Sequence, residues 1–157
     1  MIRTGIGYDV HQLAEDRKLI IAGVTILSEK GSVGHSDGDA LSHAIIDAVL
    51  GAASLGDLGD YFPSEDNKWK GVNSLDLLSE SIQRIISEGY TINNIDSVVI
   101  IQKPKLKKHI LQIRENLAKT IGIPIESISV KATTVDRLGA IGAGEGWASQ
   151  AIVTISK

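Results

Sequence analysis

The chain has 157 residues, of which 43% are hydrophobic and 22% charged, and its formal charge is -3. Those proportions fit one folded globular domain over residues 1–157 and exclude a disordered, collagen-like or coiled-coil chain. A slightly acidic protein has no broad basic field for a nucleic-acid backbone or an anionic membrane, so no nucleic-acid or membrane partner is expected. Cysteine is absent, which removes disulfides, a thiolate nucleophile and cysteine metal sites. No stretch approaches the ~18 apolar residues of a membrane helix, and the start lacks the apolar run of a signal peptide. The expected location is cytoplasmic, or the plastid stroma if a transit peptide was removed.

In chain order, residues 2–8 read as a strand ending at Asp9-Val10-His11. Residues 19–26 are a β-rich run with a central glycine, and a polar loop follows from Ser28 to Gly38. From Asp39 to about Leu55, Ala40, Ala44, Ile45, Ala48 and Val49 recur at helical spacing, with Ser36 or Asp37 as the cap. A second loop runs from Gly56 to Asn73. Asn73 or Ser74 then caps a helix to about Glu88, with a stripe of Leu75, Leu78, Ile82, Ile85 and Ile86. Residues 95–102 read as a strand. Pro104 precedes a third helix with Leu106, Ile110, Ile113, Leu117 and Ile121 on one face, stopped by Gly122. Strands near 127–134 and 147–156 flank a glycine-rich turn. The pattern predicts an α+β fold, with helices on one face of a mixed β-sheet. The last strand alternates apolar and small polar residues, so its second side is half-exposed or packs against another subunit.

Three of the four histidines lie beside acids in the first 43 residues. Asp9 and His11 leave the same face of an extended strand. Asp39, His43 and Asp47 are four apart and share a helical face. If that face meets the strand, Asp9, His11 and His43 converge as two imidazoles and a carboxylate, a set that suits a divalent metal such as zinc with one position open. Asp39 or Asp47 is then placed to orient His43. His109, among lysines, reads as structural or solvated. His35-Ser36 precedes a helix start, and Lys131-Ala132-Thr133-Thr134 ends a strand beside a cation. Gly139 to Gly146 has neither Rossmann nor Walker spacing and reads as a turn.

Together these elements resemble the 2-C-methyl-D-erythritol 2,4-cyclodiphosphate synthase family. The resemblance rests on Gly7-Tyr8-Asp9-Val10-His11, His35-Ser36-Asp37-Gly38-Asp39, His43, Gly56-Asp57-Leu58-Gly59, Phe62-Pro63, Pro104-Lys105, Lys131-Ala132-Thr133-Thr134 and Gly144-Glu145-Gly146, and spans essentially the whole chain. It implies a homotrimer with packed sheets and active sites between adjacent subunits. The implied enzyme is a phosphorus-oxygen lyase of the non-mevalonate isoprenoid pathway. The 2-phosphate of 4-diphosphocytidyl-2-C-methyl-D-erythritol 2-phosphate attacks the β-phosphorus, releasing CMP and closing a cyclic diphosphate.

The resemblance further implies one zinc per chain at Asp9, His11 and His43, and magnesium or manganese on the substrate diphosphate. His35 and Thr134 match the transition-state stabilisers, and Ser36 a contact to the 2-phosphate. Asp57, Leu58 and Gly59 match ribose contacts. Phe62, Pro63, Ser64, Glu65 and Asp66 match the erythritol loop. Ile101, Gln102, Lys103, Pro104, Lys105, Leu106 and Lys107 match the wall that reads cytosine, and Thr133 lies beside the substrate. Asp136 stands where many members carry a glutamate that binds the second cation. Ser64 replaces a common aspartate. Ala140 and Ala143 replace a phenylalanine and an arginine, the arginine lining a threefold-axis cavity beside Glu145. Weak or absent binding of isoprenoid diphosphates is therefore expected. Two other readings use the same residues: a zinc-dependent phosphoesterase and a trimeric ligand-binding protein.

Overall fold

A computed structural model describes residues 1–157. Five strands form one mixed sheet in the order β4-β1-β7-β5-β6, and β2 and β3 form a separate hairpin. The strands are β1 (Ile2–Ala14), β2 (Leu19–Ile21), β3 (Val24–Ile26), β4 (Gly31–Val33), β5 (Thr91–Ile100), β6 (Ile128–Thr133) and β7 (Gly146–Ser156). Only β5 and β6 run parallel. The helices are α1 (Ala40–Ala53), α2 (Leu58–Tyr61), α3 (Ser74–Ser87), α4 (Ile110–Ile121) and α5 (Gly139–Gly142). No helix is long and apolar enough to cross a membrane.

The sheet has two unlike faces because β1 alternates. Its odd residues, from Gly5 to Leu13, turn toward α1, whereas Ile6, Tyr8 and Val10 on the other side are more than half exposed. Cross-strand pairing sets Ile6 opposite Ile152, which is also exposed. The helices cover one face only, as the expected α+β arrangement requires. Between them and the sheet lies a core that includes Leu41, Ile45, Leu78, Ile82, Ile95, Val99, Ile113 and Val153.

Helix α1 is central to that core, and almost every one of its residues is buried. It is therefore apolar around most of its circumference. Its contact with β1 is unusually close, because β1 offers glycine where α1 offers alanine. A Cβ on Gly5 would sit 1.9 Å from the Ala48 carbonyl oxygen, and one on Gly7 would sit 1.9 Å from that of Ala44. No side chain fits in either place.

Several boundaries differ from the sequence pattern. β1 continues past His11 to Ala14, because it pairs first with β7 to Gln12 and then with β4. β4 lies inside the expected loop, since three residues are too few to display a period. The run at 19–26 splits into a hairpin at Ala22 and Gly23, whose φ values of 46° and 72° reverse the chain. The cap of α1 is Asp39, not Ser36 or Asp37: its carboxylate accepts from Ser42 N at 3.1 Å and from Ser42 Oγ at 2.7 Å. Asn73 caps α3 as expected, accepting from Leu75 N. Ile86 is half exposed, and Leu77 takes its place in the buried stripe. α4 begins at Ile110, after a single 3-10 turn over Lys107–His109. Leu106, just before that turn, is buried with Ile113, Leu117 and Ile121, so the apolar stripe holds although the helix itself starts later. The glycine-rich turn contains α5.

Gly7→Ala should lower stability by roughly 1–3 kcal/mol, the usual cost of overpacking, or more if α1 cannot withdraw. Urea denaturation of the purified variant reads this directly. Gly51→Ala is the control, since a Cβ there meets nothing within 4 Å.

Candidate metal centre and nucleotide pocket

Asp9 and His11 project from the helix side of β1, and His43 projects from α1 across the glycine contact. The three residues each offer a ligand atom within 4.8 Å of the others. Asp9 Oδ2 lies 2.9 Å from His11 Nε2 and 3.0 Å from His43 Nδ1. His11 is held from behind, where its Nδ1 lies 2.8 Å from the Val33 carbonyl. A carbonyl only accepts, so Nδ1 carries the hydrogen and Nε2 of the neutral ring turns its lone pair to Asp9 and His43. This donor set fits a divalent metal: one carboxylate oxygen and two imidazole nitrogens meet at one point on a rigid strand-helix pair.

The electrostatics agree. Burial pushes the Asp9 carboxyl up, but the adjacent His11 and His43 rings outweigh it and hold Asp9 well below the usual carboxylate range. Burial lowers His11, yet Asp9 and the Val33 carbonyl leave its pKa raised overall. Negative charge is thus fixed on Asp9, where a cation would be attracted.

Neither the Asp39 nor the Asp47 carboxylate hydrogen-bonds the His43 ring, contrary to the expectation from helical spacing; Asp39 meets His43 only through its backbone carbonyl. Asp39 is spent on capping α1, and Asp47 accepts from Leu58 N at 2.8 Å. Asp39 bends to the start of its own helix, and Asp47, in the middle of α1, bends to the first backbone N–H of α2. Burial raises both carboxyls, Asp39 to about 6 with Asp37 adding to the rise. The partners of His43 Nε2 are instead Ser36 Oγ at 3.1 Å and Ser74 Oγ at 3.0 Å. Ser74 had signalled only a helix cap, and no spacing rule links residues 43 and 74.

The surrounding loop is laced to His35. Its Nε2 lies 3.1 Å from the Asp66 carbonyl, and its own carbonyl accepts from Gly71 N. Phe62 is buried edge-on against Trp69, while Ser64, Glu65 and Asp66 are exposed. Asp57 caps α2 through a reciprocal pair with Asp60, leaving Leu58 half-buried and Gly59 exposed.

A second cluster lies elsewhere. Ile101, Gln102, Pro104, Lys105, Leu106, Lys107, Thr133 and Thr134 line one cavity of about 350 Å3. Lys103 is exposed beside it. Asp136 and Arg137 follow in a left-handed turn, with φ of 52° and 65°, pinned by Arg137 N to Gln102 Oε1 at 3.0 Å. His109 is half-buried with Lys105, Lys107 and Lys108 around an adjacent cavity of about 380 Å3. Glu145 is exposed. Lys30 Nζ bonds the neighbouring Gly144 carbonyl at 3.1 Å, a cation near that turn that sequence order hides.

The two clusters do not meet within one chain. In register, Asp9 pairs with Ser149, Ser149 with Val99 and Val99 with Ala132. The metal ligands and the Thr133-Thr134 end of β6 are therefore three strands apart, about 14 Å at about 4.8 Å per strand.

Comparison with known proteins gives this geometry a context. Residues 2–156 match the model of the YgbB family, and the chain belongs to that family. Among curated relatives, a 2-C-methyl-D-erythritol 2,4-cyclodiphosphate synthase of Alkaliphilus oremlandii is 56% identical over 156 residues, covering 99% of each chain. The Clostridium botulinum protein of the same name is 53% identical with the same coverage. Among solved structures, the bifunctional IspDF of Campylobacter jejuni superposes with a TM-score of 0.95 at 43% identity. The alignment covers 99% of this chain and 42% of that longer protein. A synthase structure in a CDP-bound form gives a TM-score of 0.90 at 33% identity, over 98% of this chain and 100% of that one.

Two measurements test the site. Metal analysis should find about one zinc per chain, and His43→Ala should abolish retention. Asp39→Asn keeps an oxygen for the cap and removes a buried charge. An acid raised when folded binds its proton more tightly in the native state, so it stabilises below about 3.8 and that stability fades as pH rises through about 6. The variant should therefore gain at pH 7, by up to roughly 2–3 kcal/mol, and show no gain below pH 4. Melting curves across that range give the answer.

Proposed function

We propose that this chain converts 4-diphosphocytidyl-2-C-methyl-D-erythritol 2-phosphate to 2-C-methyl-D-erythritol 2,4-cyclodiphosphate and CMP. The observation that carries the reading is the convergence of Asp9, His11 and His43 in a family whose named members are synthases of that product. Zinc held by these three residues supplies a Lewis acid for a phosphate oxygen, and magnesium or manganese, with Asp136 as its candidate ligand, offsets charge on the diphosphate.

The remaining work falls to the protein's own groups. The attacking phosphate belongs to the substrate, so no side-chain nucleophile is needed and catalysis rests on proximity and charge. His35 is fixed by the Asp66 carbonyl and Thr134 stands at the end of β6. Both are assigned to stabilise the charge that grows at phosphorus. Ser36, beside His43, faces the 2-phosphate. Asp57, Leu58 and Gly59 are assigned to the ribose, and the loop from Phe62 to Asp66 to the erythritol. The cavity along residues 101–107 with Thr133 takes the cytosine, in keeping with CDP-bound relatives.

Because the nucleotide cavity and the metal ligands lie three strands apart, we assign each active site to two neighbouring copies in a homotrimer. The open sheet face with Ile6, Tyr8, Val10 and Ile152 is the apolar surface they bury. The number three comes from the family resemblance. The bacterial relatives support a cytoplasmic location.

Incubation with the cytidine substrate should yield CMP and a cyclic diphosphate, identified by phosphorus NMR. A linear phosphate product would instead mark a phosphoesterase. His35→Ala and Thr134→Ala should each cost about 10²–10³ in kcat with a smaller change in KM. Light scattering should give three chains per particle, and an active monomer would overturn the shared-site assignment.

A further inference from the structure

The partners of His43 carry a consequence beyond its place in the ligand set. Ser74 is fully buried at the first turn of α3, and its hydroxyl has one hydrogen to give. That hydrogen goes to Asp37 Oδ1, while Asp37 Oδ2 accepts from Ser74 N at 3.1 Å. Asp37 thus grips both the backbone and the hydroxyl of Ser74. Toward His43 Nε2, 3.0 Å away, Ser74 Oγ has only lone pairs left.

A bare Nε2 would set lone pair against lone pair inside a buried site. Ser36 Oγ, 3.1 Å from the same nitrogen, could donate to it, but would not relieve the clash with Ser74. A hydrogen on Nε2 satisfies both oxygens at once. The neutral ring then carries its lone pair on Nδ1, which lies 3.0 Å from Asp9 Oδ2. Carboxylate and lone pair at that distance repel unless a cation lies between them.

We infer that Asp37 and Ser74 are positioning residues: the chain Asp37–Ser74–His43 fixes the histidine tautomer that presents Nδ1 to the metal. Asp37 reaches the His43 ring through Ser74, and also accepts from Asp39 N at 3.3 Å. Ser36 Oγ, which accepts from the same N–H, lies 3.4 Å from Ser74 Oγ and can donate its own hydrogen there. This inference deepens the proposed function by adding the groups that orient one ligand, and it rests on the metal-centre part of that reading.

The test uses zinc as the probe and does not depend on turnover. In zinc-loaded wild-type protein, long-range nitrogen-proton NMR should show His43 with hydrogen on Nε2 and metal on Nδ1. Competition with a chromogenic chelator should show Ser74→Ala binding zinc about 10–100-fold more weakly, the usual loss when a ligand's orienting partner is removed. Asp37→Asn should weaken binding less. The double variant should be no worse than Ser74→Ala alone, because both substitutions cut one chain. The His43 Nε2 hydrogen should also exchange faster with solvent in Ser74→Ala.

Zinc affinity within twofold of wild type in a folded Ser74→Ala protein would overturn the inference. So would ligation through Nε2 in the wild type, a result that needs no variant to fold. Failure to form the cyclic diphosphate with these zinc results intact would sink only the proposed reaction.

Discussion

The candidate metal centre depends on one steric constraint, the approach of α1 to β1 with no side chain between them. Gly5 and Gly7 let the carbonyls of Ala48 and Ala44 come so near that added Cβ atoms would overlap them. Ligands on two different elements converge only if those elements are fixed to well under an ångström, and direct backbone contact provides that rigidity. The alanines of α1 follow from the same demand, since a larger residue at 44 or 48 would lift the helix. His43 is then delivered to Asp9 and His11 by packing, before any metal contributes.

Around this contact the protein gathers more negative charge than an apolar interior tolerates freely. Asp37, Asp39 and Asp47 each answer with N–H or O–H donors: Ser74, Ser42 and Leu58. Asp9 alone answers with imidazoles. The carboxylates nearest the candidate ligands thus have separate duties: Asp39 caps the start of α1, Asp47 ties the middle of α1 to α2, Asp37 grips Ser74 and Asp9 faces the two imidazoles. Unpaired, such groups would be costly to bury, so the network ties α1, α3 and the His35 loop into one unit.

Much of this was legible in the sequence. Period two in β1 and period near 3.6 in α1 place Asp9, His11 and His43 on facing surfaces, and the structure brings them together. The assignment of Asp39 and Asp47 as orienting groups went wrong because helical spacing reports which residues share a face, not where a short side chain bends. Asp39 turns to the free N–H groups of its own helix start, a stronger local attraction than a histidine one turn away. Ser74 was visible only as a cap, because its contact with His43 joins residues 31 apart through tertiary packing. β4 left no trace, since three residues cannot display a period.

The alternation in β1 also limits how this segment can change over evolutionary time. Between Gly5 and Leu13 the odd letters write the helix contact and two candidate metal ligands, while the even letters write the outer face with Ile6, Tyr8 and Val10. Two messages are interleaved in one strand, separable only by parity. Point substitutions can edit either message alone. Insertion or deletion of a single codon would exchange the two beyond that point, presenting apolar side chains to the candidate metal site and a histidine to the outer surface. The segment should therefore drift in composition among descendants of this gene while its length stays frozen.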